Sequence, residues 1–250
     1  MPGMRLDKLL THMNCGSRRE VAAWVRAGRV AVDGLICRDP AYKVDPDRAC
    51  VLLDGQIQAY RAQRYLMLNK PAGVITASSD PRHRTVLDLI PESERRGLFA
   101  VGRLDKDTEG LLLLTTDGAF SHALMAPGKH VEKEYLAEIE GTPAADAAER
   151  FAQGIVLKDG TVCRPAGLEP VPEAAVQTVR VTLCEGKYHQ VKRMLWAVGC
   201  EVTRLKRLRV GPLRLDGALA PGAFRDLSAE ELSSFGLPVM GQTGIEISKK

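Results

Sequence analysis

The uninterrupted run Leu111-Leu112-Leu113-Leu114 limits the fold more than any other feature of this sequence. Neighbouring side chains of a strand point to opposite faces, so four leucines in a row place apolar groups on both. A strand of this kind has to be covered on each side, which calls for a layered sheet. The chain has 250 residues, enough for such a domain and a second, smaller one. Apolar residues at 45% and charged residues at 26% exclude a disordered or collagen-like chain. No run comes near the roughly 18 consecutive apolar residues of a transmembrane helix, so no membrane partner is expected. The opening Met1-Pro2-Gly3-Met4-Arg5 lacks an apolar secretory segment, which predicts a cytoplasmic protein.

Residue spacing separates a small front unit from a larger one. Leu6, Leu9, Leu10 and Met13 fall on one helical face. Ser17-Arg18-Arg19-Glu20 is a capping-box pattern, so a second helix starts at Ser17 and stops at Gly28. Alternating valines around Asp33-Gly34 predict a hairpin, and Val51–Leu53 a further short strand. The expected limits are a front domain over 1–56, a polar linker over 57–63, a second domain over 64–236 and a tail over 237–250. In the second domain, strands are expected at Tyr65–Leu68, Leu111–Thr115, Tyr135–Glu140 and Val179–Leu183. A helix over Tyr188–Val198 carries Val191, Met194, Leu195 and Val198 on its core face, and Ser228 caps a last short helix. The class is α+β.

The net charge of +4 conceals an uneven distribution. Residues 1–32 carry +4, with Arg5, Lys8, Arg18, Arg19 and Arg29 among their basic side chains. Residues 187–214 carry +7, which leaves −7 on the rest. Two basic islands on an acidic body suggest a polyanionic partner gripped at two places; two solvated faces are the plainer reading. Arg18 and Arg19 stand in the first turn of their helix, where positive charge opposes the helix dipole, so they are expected to meet phosphate. The six cysteines are too widely spaced for a zinc site and are read as reduced thiols.

Candidate chemistry lies in Gly102-Arg103-Leu104-Asp105-Lys106-Asp107-Thr108-Glu109-Gly110, the loop that leads into the leucine run. A carboxylate on a loop held by a buried strand is fixed in position and still open to a ligand. If residues 103–105 are extended, Arg103 and Asp105 project to one side. The plainer alternative is that Asp105 and Asp107 cap the loop or pair with Lys106. A glycosidase using both acids fares poorly, because one short loop cannot place them on opposite sides of a sugar.

Four stretches, taken together and in order, resemble the RsuA/RluB/RluE/RluF group of rRNA pseudouridine synthases. They are Asn69-Lys70-Pro71-x-Gly73, the Gly102–Thr115 stretch, Lys133-x-Tyr135, and Glu185-Gly186-x-x-His189-Gln190-Val191-Lys192-Arg193-Met194. Residues 4–53 resemble the S-four-like RNA-binding domain that this group carries in front. The resemblance implies a small RNA-binding domain followed by a catalytic domain with a mixed, mostly antiparallel central sheet flanked by helices. It also implies a monomer that detaches uracil from ribose, turns it and rejoins it through carbon 5, with no cofactor and no metal. Asp80–Leu89 and Lys129–Tyr135 look more like the small-subunit enzymes, pointing to 16S rRNA or a pre-30S particle as partner. A large-subunit (23S) enzyme and a non-catalytic RNA-binding assembly factor are the alternatives. The second would gain if Asp105, Tyr135 or the basic partner were missing.

By the same resemblance, the catalytic carboxylate falls on Asp105, as nucleophile or as base. The active-site tyrosine falls on Tyr135, which would otherwise read as a core residue. The basic partner of the aspartate falls on Lys192, with Arg193 as the alternative. Helical geometry at 100° per residue places Lys192 roughly 110° and Arg193 roughly 150° from the core direction, with Arg193 outward beside His189 and Trp196, toward solvent or RNA. Arg103 matches the residue that helps extrude the target nucleotide, a step required before the glycosidic bond can be reached. Lys70 is either structural or a phosphate contact.

Overall fold

The structure, a computed structural model, describes residues 3–13, 15–46, 48–58 and 63–236. The expected tail over 237–250 and residues 59–62 of the expected linker lie outside the described residues. The described residues divide into two compact units, one formed by those up to Arg64 with Glu92–Arg96, the other by Tyr65–Pro91 and residues 97–236.

In the first unit, strand β1 (Met4–Arg5) leads into helices α1 (Leu6–His12) and α2 (Arg18–Arg26). The Ser17–Glu20 capping box forms as its sequence predicts, each residue bonding the other's backbone N–H. Strands β2 (Val30–Val32) and β3 (Leu35–Cys37) make the expected hairpin, and Asp33 and Gly34 both take positive φ as such a turn demands. Strand β4 (Lys43–Val44) pairs with β1. Strands β5 (Val51–Leu53) and β6 (Gln56–Gln58) form a second hairpin around Asp54-Gly55. The order of the four-stranded sheet is β3-β2-β5-β6. Ile57 and Gln58 are therefore strand where a polar linker is expected: β6 is an edge strand whose one apolar residue, Ile57, faces out, so no burial pattern marks it. Leu6, Leu9, Leu10, Val21, Val25, Val30 and Val51 form the core of this unit.

The basic side chains of the first unit are partly committed to acids. Asp7, buried in the first turn of α1, accepts two hydrogen bonds from Arg5 and lies 3.5 Å from Arg18 Nε. The Arg5 hydrogen bonds hold the Asp7 carboxyl below the usual carboxylate range, against the opposing effect of burial. Asp7 thus offsets the charge that Arg18 brings to the start of α2. Arg29 forms a two-point pair with Asp54 and lies over the Trp24 ring. Lys8 and Arg19 are exposed.

The second unit is built on a nine-stranded sheet. Its strands are β7 (Tyr65–Lys70), β8 (Phe99–Val101), β9 (Thr108–Thr115), β10 (Lys133–Glu140), β11 (Gly167–Pro170), β12 (Thr178–Leu183), β13 (Glu201–Val210), β14 (Leu213–Arg214) and β15 (Phe224–Asp226). The main order is β11-β12-β10-β13-β9-β7-β15, with β8 also on β9 and β14 on β13. Only the β13–β9 contact is parallel; the other pairings are antiparallel. Helices α3 (Gly118–Met125), α4 (Ala147–Gln153), α5 (Gln190–Ala197) and α6 (Ala229–Ser234) complete the unit. No helix among the described residues is long and apolar enough to cross a membrane.

The leucine run occupies β9 and is covered on both faces. Leu112 and Leu114 join Leu66, Leu68, Ala137, Val181, Phe151 of α4 and Met194 of α5 in one core. By alternation Leu111 and Leu113 face the other way. On that side of β7 and β9, Tyr65 meets Phe120 of α3 edge-on and Phe120 meets Phe235. Gly110 is the place where β9 meets β13: its φ is +97°, and a Cβ there would sit 2.2 Å from the Arg207 carbonyl oxygen.

Strand β13 carries four of the eight basic residues of the second island, and two of them, Arg204 and Arg209, form cross-strand pairs. Arg204 bridges Glu109 and Glu138, at 2.8 and 3.3 Å. Arg209 pairs with Glu132 and Glu134, and Arg214 also reaches Glu134. Arg207 is buried and donates from Nε to the Leu111 carbonyl at 2.8 Å. The acids come from β9, β10 and the residues before β10, distant in sequence. A charge count along the chain therefore does not show that these cations already meet acids from other strands.

Candidate active site

The loop before β9 is gripped from below at several backbone atoms. Thr76 Oγ1 donates to the Leu104 carbonyl at 2.8 Å and accepts from the Leu104 N–H at 3.1 Å. Gly73 N–H donates to the Lys106 carbonyl, and Thr108 N–H closes a turn onto the Asp105 carbonyl. Lys70, at the end of β7, is 0% exposed, and its ammonium donates to the carbonyls of Thr108, Pro71 and Lys106 at 2.7, 3.1 and 3.2 Å. All three of its donors are engaged inside the protein, so Lys70 is not a phosphate contact; it is the clamp beneath the loop. Burial lowers its pKa to about 8, the nearby Asp107 and Asp105 carboxylates opposing that fall.

Held in this way, Arg103 is exposed, Leu104 buried and Asp105 half-exposed, the alternation expected of an extended segment. Arg103, Asp105, Tyr135, Leu183, His189 and Leu205 line one open cleft of about 430 Å³. Tyr135 is both a member of the core and a wall of this cleft, so the two readings of that residue are compatible.

The opposite wall is the loop that enters α5. Gln190 is buried, accepts from Lys187 N–H at 2.9 Å and donates to Glu185 at 2.5 Å, which ties the loop to the helix. Residue 189 takes left-handed backbone, φ +47°, an uncommon and costly state for a histidine. The turn carries His189 Nε2 to 3.7 Å from Asp105 Oδ1 and stacks its ring on Tyr188 with centroids 3.9 Å apart.

Lys192 does not pair with Asp105. Its ammonium lies 2.5 Å from Asp107 Oδ2, two residues further along the same loop. Burial pushes the Asp107 carboxyl up, but the Lys192 hydrogen bond and charge leave it below its ordinary value. Arg193, the alternative partner, lies 2.5 Å from Asp159. The helical wheel sends Arg193 toward solvent because it carries no information about the 155–163 segment that meets this face of α5. The cleft thus holds Arg103, Asp105 and Tyr135 of the expected residues. It also holds His189, which stands inside the quoted Glu185–Met194 stretch but reads as outward-facing on helical periodicity alone.

Known proteins resemble this chain over most of its length. A family model described as RNA pseudouridylate synthase matches residues 64–197, and an S4 domain model matches residues 4–49. The chain is 47% identical over 231 residues to the uncharacterized RNA pseudouridine synthase YtzG of Bacillus subtilis, covering 92% of this chain and 97% of that protein. It is 44% identical to the ribosomal small subunit pseudouridine synthase A of Yersinia pestis, with 94% and 99% covered, and 43% identical to the protein of that name in Escherichia coli K12, with 92% and 99% covered. A crystal structure of a pseudouridylate synthase superposes with a TM-score of 0.65 at 31% identity, covering 92% of this chain and 99% of that one. The chain belongs to the RNA pseudouridylate synthase family, an isomerase with an S4 domain in front of its catalytic domain.

Proposed function

We propose that this protein converts a uridine of 16S rRNA, free or in a pre-30S particle, to pseudouridine, with Asp105 as the essential carboxylate. The observation that carries the reading is the setting of Asp105: a carboxylate on a backbone gripped by Thr76, Gly73 and Lys70, open at one side to a cleft walled by Tyr135 and His189. The relatives named for the ribosomal small subunit, matched over nearly their whole length, support the choice of RNA.

In the reaction the N1–C1′ bond of the target breaks, the base turns, and a C5–C1′ bond forms. The C5 proton leaves and N1 gains one. Asp105 acts on the sugar or base as nucleophile, or removes a ribose proton; both roles use its ionised form. A rigid loop serves either role, because misplacement of about 1 Å costs about 10²-fold in rate. Tyr135 supplies an aromatic wall for the uracil while it is detached. Arg103, exposed at the rim, takes the place of the extruded nucleotide. Lys192 acts through Asp107 on the loop. In the first unit Lys8 and Arg19, with the exposed parts of Arg5, Arg18 and Arg29, contact RNA phosphates. The proposed domain limits follow the expected ones, with the front domain extended to include β6.

The test is tritium release from 16S and 23S rRNA labelled at C5 of uridine, followed by mapping of the product. Release from 16S rRNA alone, at one position, is the expected result. Release from 23S rRNA alone would overturn the choice of RNA, and none from either would overturn the enzymatic reading.

A further inference from the structure

His189 is a wall shared by two cavities. On one side is the Asp105 cleft. On the other is a wider groove of about 900 Å³ between α5 and the 157–159 segment, bordered also by Glu201 and Val202. Apart from His189 and Lys192, the side chains of this groove have no part in the reaction as described.

Its most unusual member is Trp196, 57% exposed. Packing of α5 does not explain an indole there, because Val191, Met194 and Leu195 already fill the buried face. Lys192, Arg193 and Trp196, three and four residues apart, share one face of α5, and His189 stands at its entrance. Trp196 lies seven residues after His189, toward the other end of α5. Midway, Asp107 and Asp159 hold the two cations. Lys158, Lys192 and Arg193 line the groove with Asp159 and Glu201, so its charge is nearly balanced, and Lys192 and Arg193 stand four and three residues before Trp196 on its helix.

We propose that this groove is a stacking subsite for one unpaired nucleotide next to the target uridine, its base on the Trp196 indole and its phosphate at Lys192 and Arg193. The proposal rests on the reading that RNA enters the Asp105 cleft. Continuity through His189 makes the occupant part of the same strand. A splayed base on an aromatic ring with cations at the phosphate is the usual manner of single-strand recognition. An apolar peptide would have to bury both cations. Partly exposed ion pairs are weak, so a phosphate can share Lys192 and Arg193 with their acids.

Two measurements test the subsite. In tritium release from 16S rRNA, Trp196→Ala should raise KM by about 5- to 100-fold, the range that base–aromatic stacking spans, with kcat within about two-fold; Trp196→Phe should restore most of the loss. Independently, binding of a 16S rRNA transcript should quench tryptophan fluorescence more in the wild type than in Trp196→Phe. A KM for Trp196→Ala within two-fold of wild type, or equal quenching in wild type and Trp196→Phe, overturns the subsite while wild-type turnover leaves the reaction assignment standing. Absence of wild-type turnover on any rRNA removes the reading itself, and the subsite with it.

Discussion

His189 Nε2 stands 3.7 Å from Asp105 Oδ1, brought there by a left-handed residue at the entrance to α5. The separation is too long for a hydrogen bond and within the reach of an ion pair, and such contacts tighten when substrate closes a site. If the ring steadies the carboxylate, removing it should slow turnover. His189→Gly keeps the left-handed backbone and removes the ring. It should lower kcat about 10-fold, equivalent to ~1.4 kcal/mol, with little change in Tm. Turnover equal to wild type in the tritium assay would show that His189 does not act on Asp105.

Lys192 reaches Asp107, and Asp107 shares its loop with Asp105. If Lys192 works through that contact, Lys192→Ala and Asp107→Ala should lower kcat by similar factors, about 5- to 50-fold, and the double variant should be no worse than either single. This non-additivity is the signature of one shared interaction, typically ~1–3 kcal/mol of coupling. Additive losses in a double-mutant cycle would instead place Lys192 directly at the reacting groups.

Lys70 fills three backbone carbonyls from a fully buried position. Lys70→Met leaves them without a donor and should destabilise the protein by about 3 kcal/mol, read from urea midpoints. The pH dependence has a definite sign. With its folded-state pKa lowered to about 8 from 10.5, Lys70 holds its proton less well folded than unfolded between those values. The unfolded state then binds more protons, so the contribution of this group to stability rises with pH across that window. Wild type should gain on Lys70→Met between pH 8 and pH 10; a constant difference would contradict the assignment.

The parts of this fold legible in the sequence are those whose signal is local. The Ser17–Glu20 box, the Asp33-Gly34 turn, the double-faced leucine strand and the apolar stripe of α5 each depend on neighbours within a few residues, and each forms. Strand β13 escaped because its alternating arginines and lysines look like a solvated surface until Glu109, Glu134 and Glu138 arrive from other strands. In the candidate site, Asp105, Arg103 and Tyr135 were marked by their motifs. The partners of Lys192, the clamp by Lys70 and the approach of His189 are long-range or depend on one unusual backbone angle, and no spacing rule encodes them.

Lys8 and Arg19 are exposed cations of the first unit, on or beside its two helices. Replacing both by alanine should weaken rRNA binding at low salt and make the slope of log affinity against log salt shallower by up to about two, without loss of Tm. An unchanged slope would remove this face from the RNA-binding surface.

The central claim is that Asp105 performs the isomerisation, and the Asp105→Asn protein tests it most directly. The amide keeps the size of the side chain and leaves the grip of Thr76, Gly73 and Lys70 on the loop intact, so fold and RNA binding should persist. Tritium release from C5-labelled 16S rRNA under single-turnover conditions should fall by at least about 10³-fold, since an amide can neither attack as a carboxylate nor accept the proton. Release by Asp105→Asn at a rate near that of wild type would contradict the account.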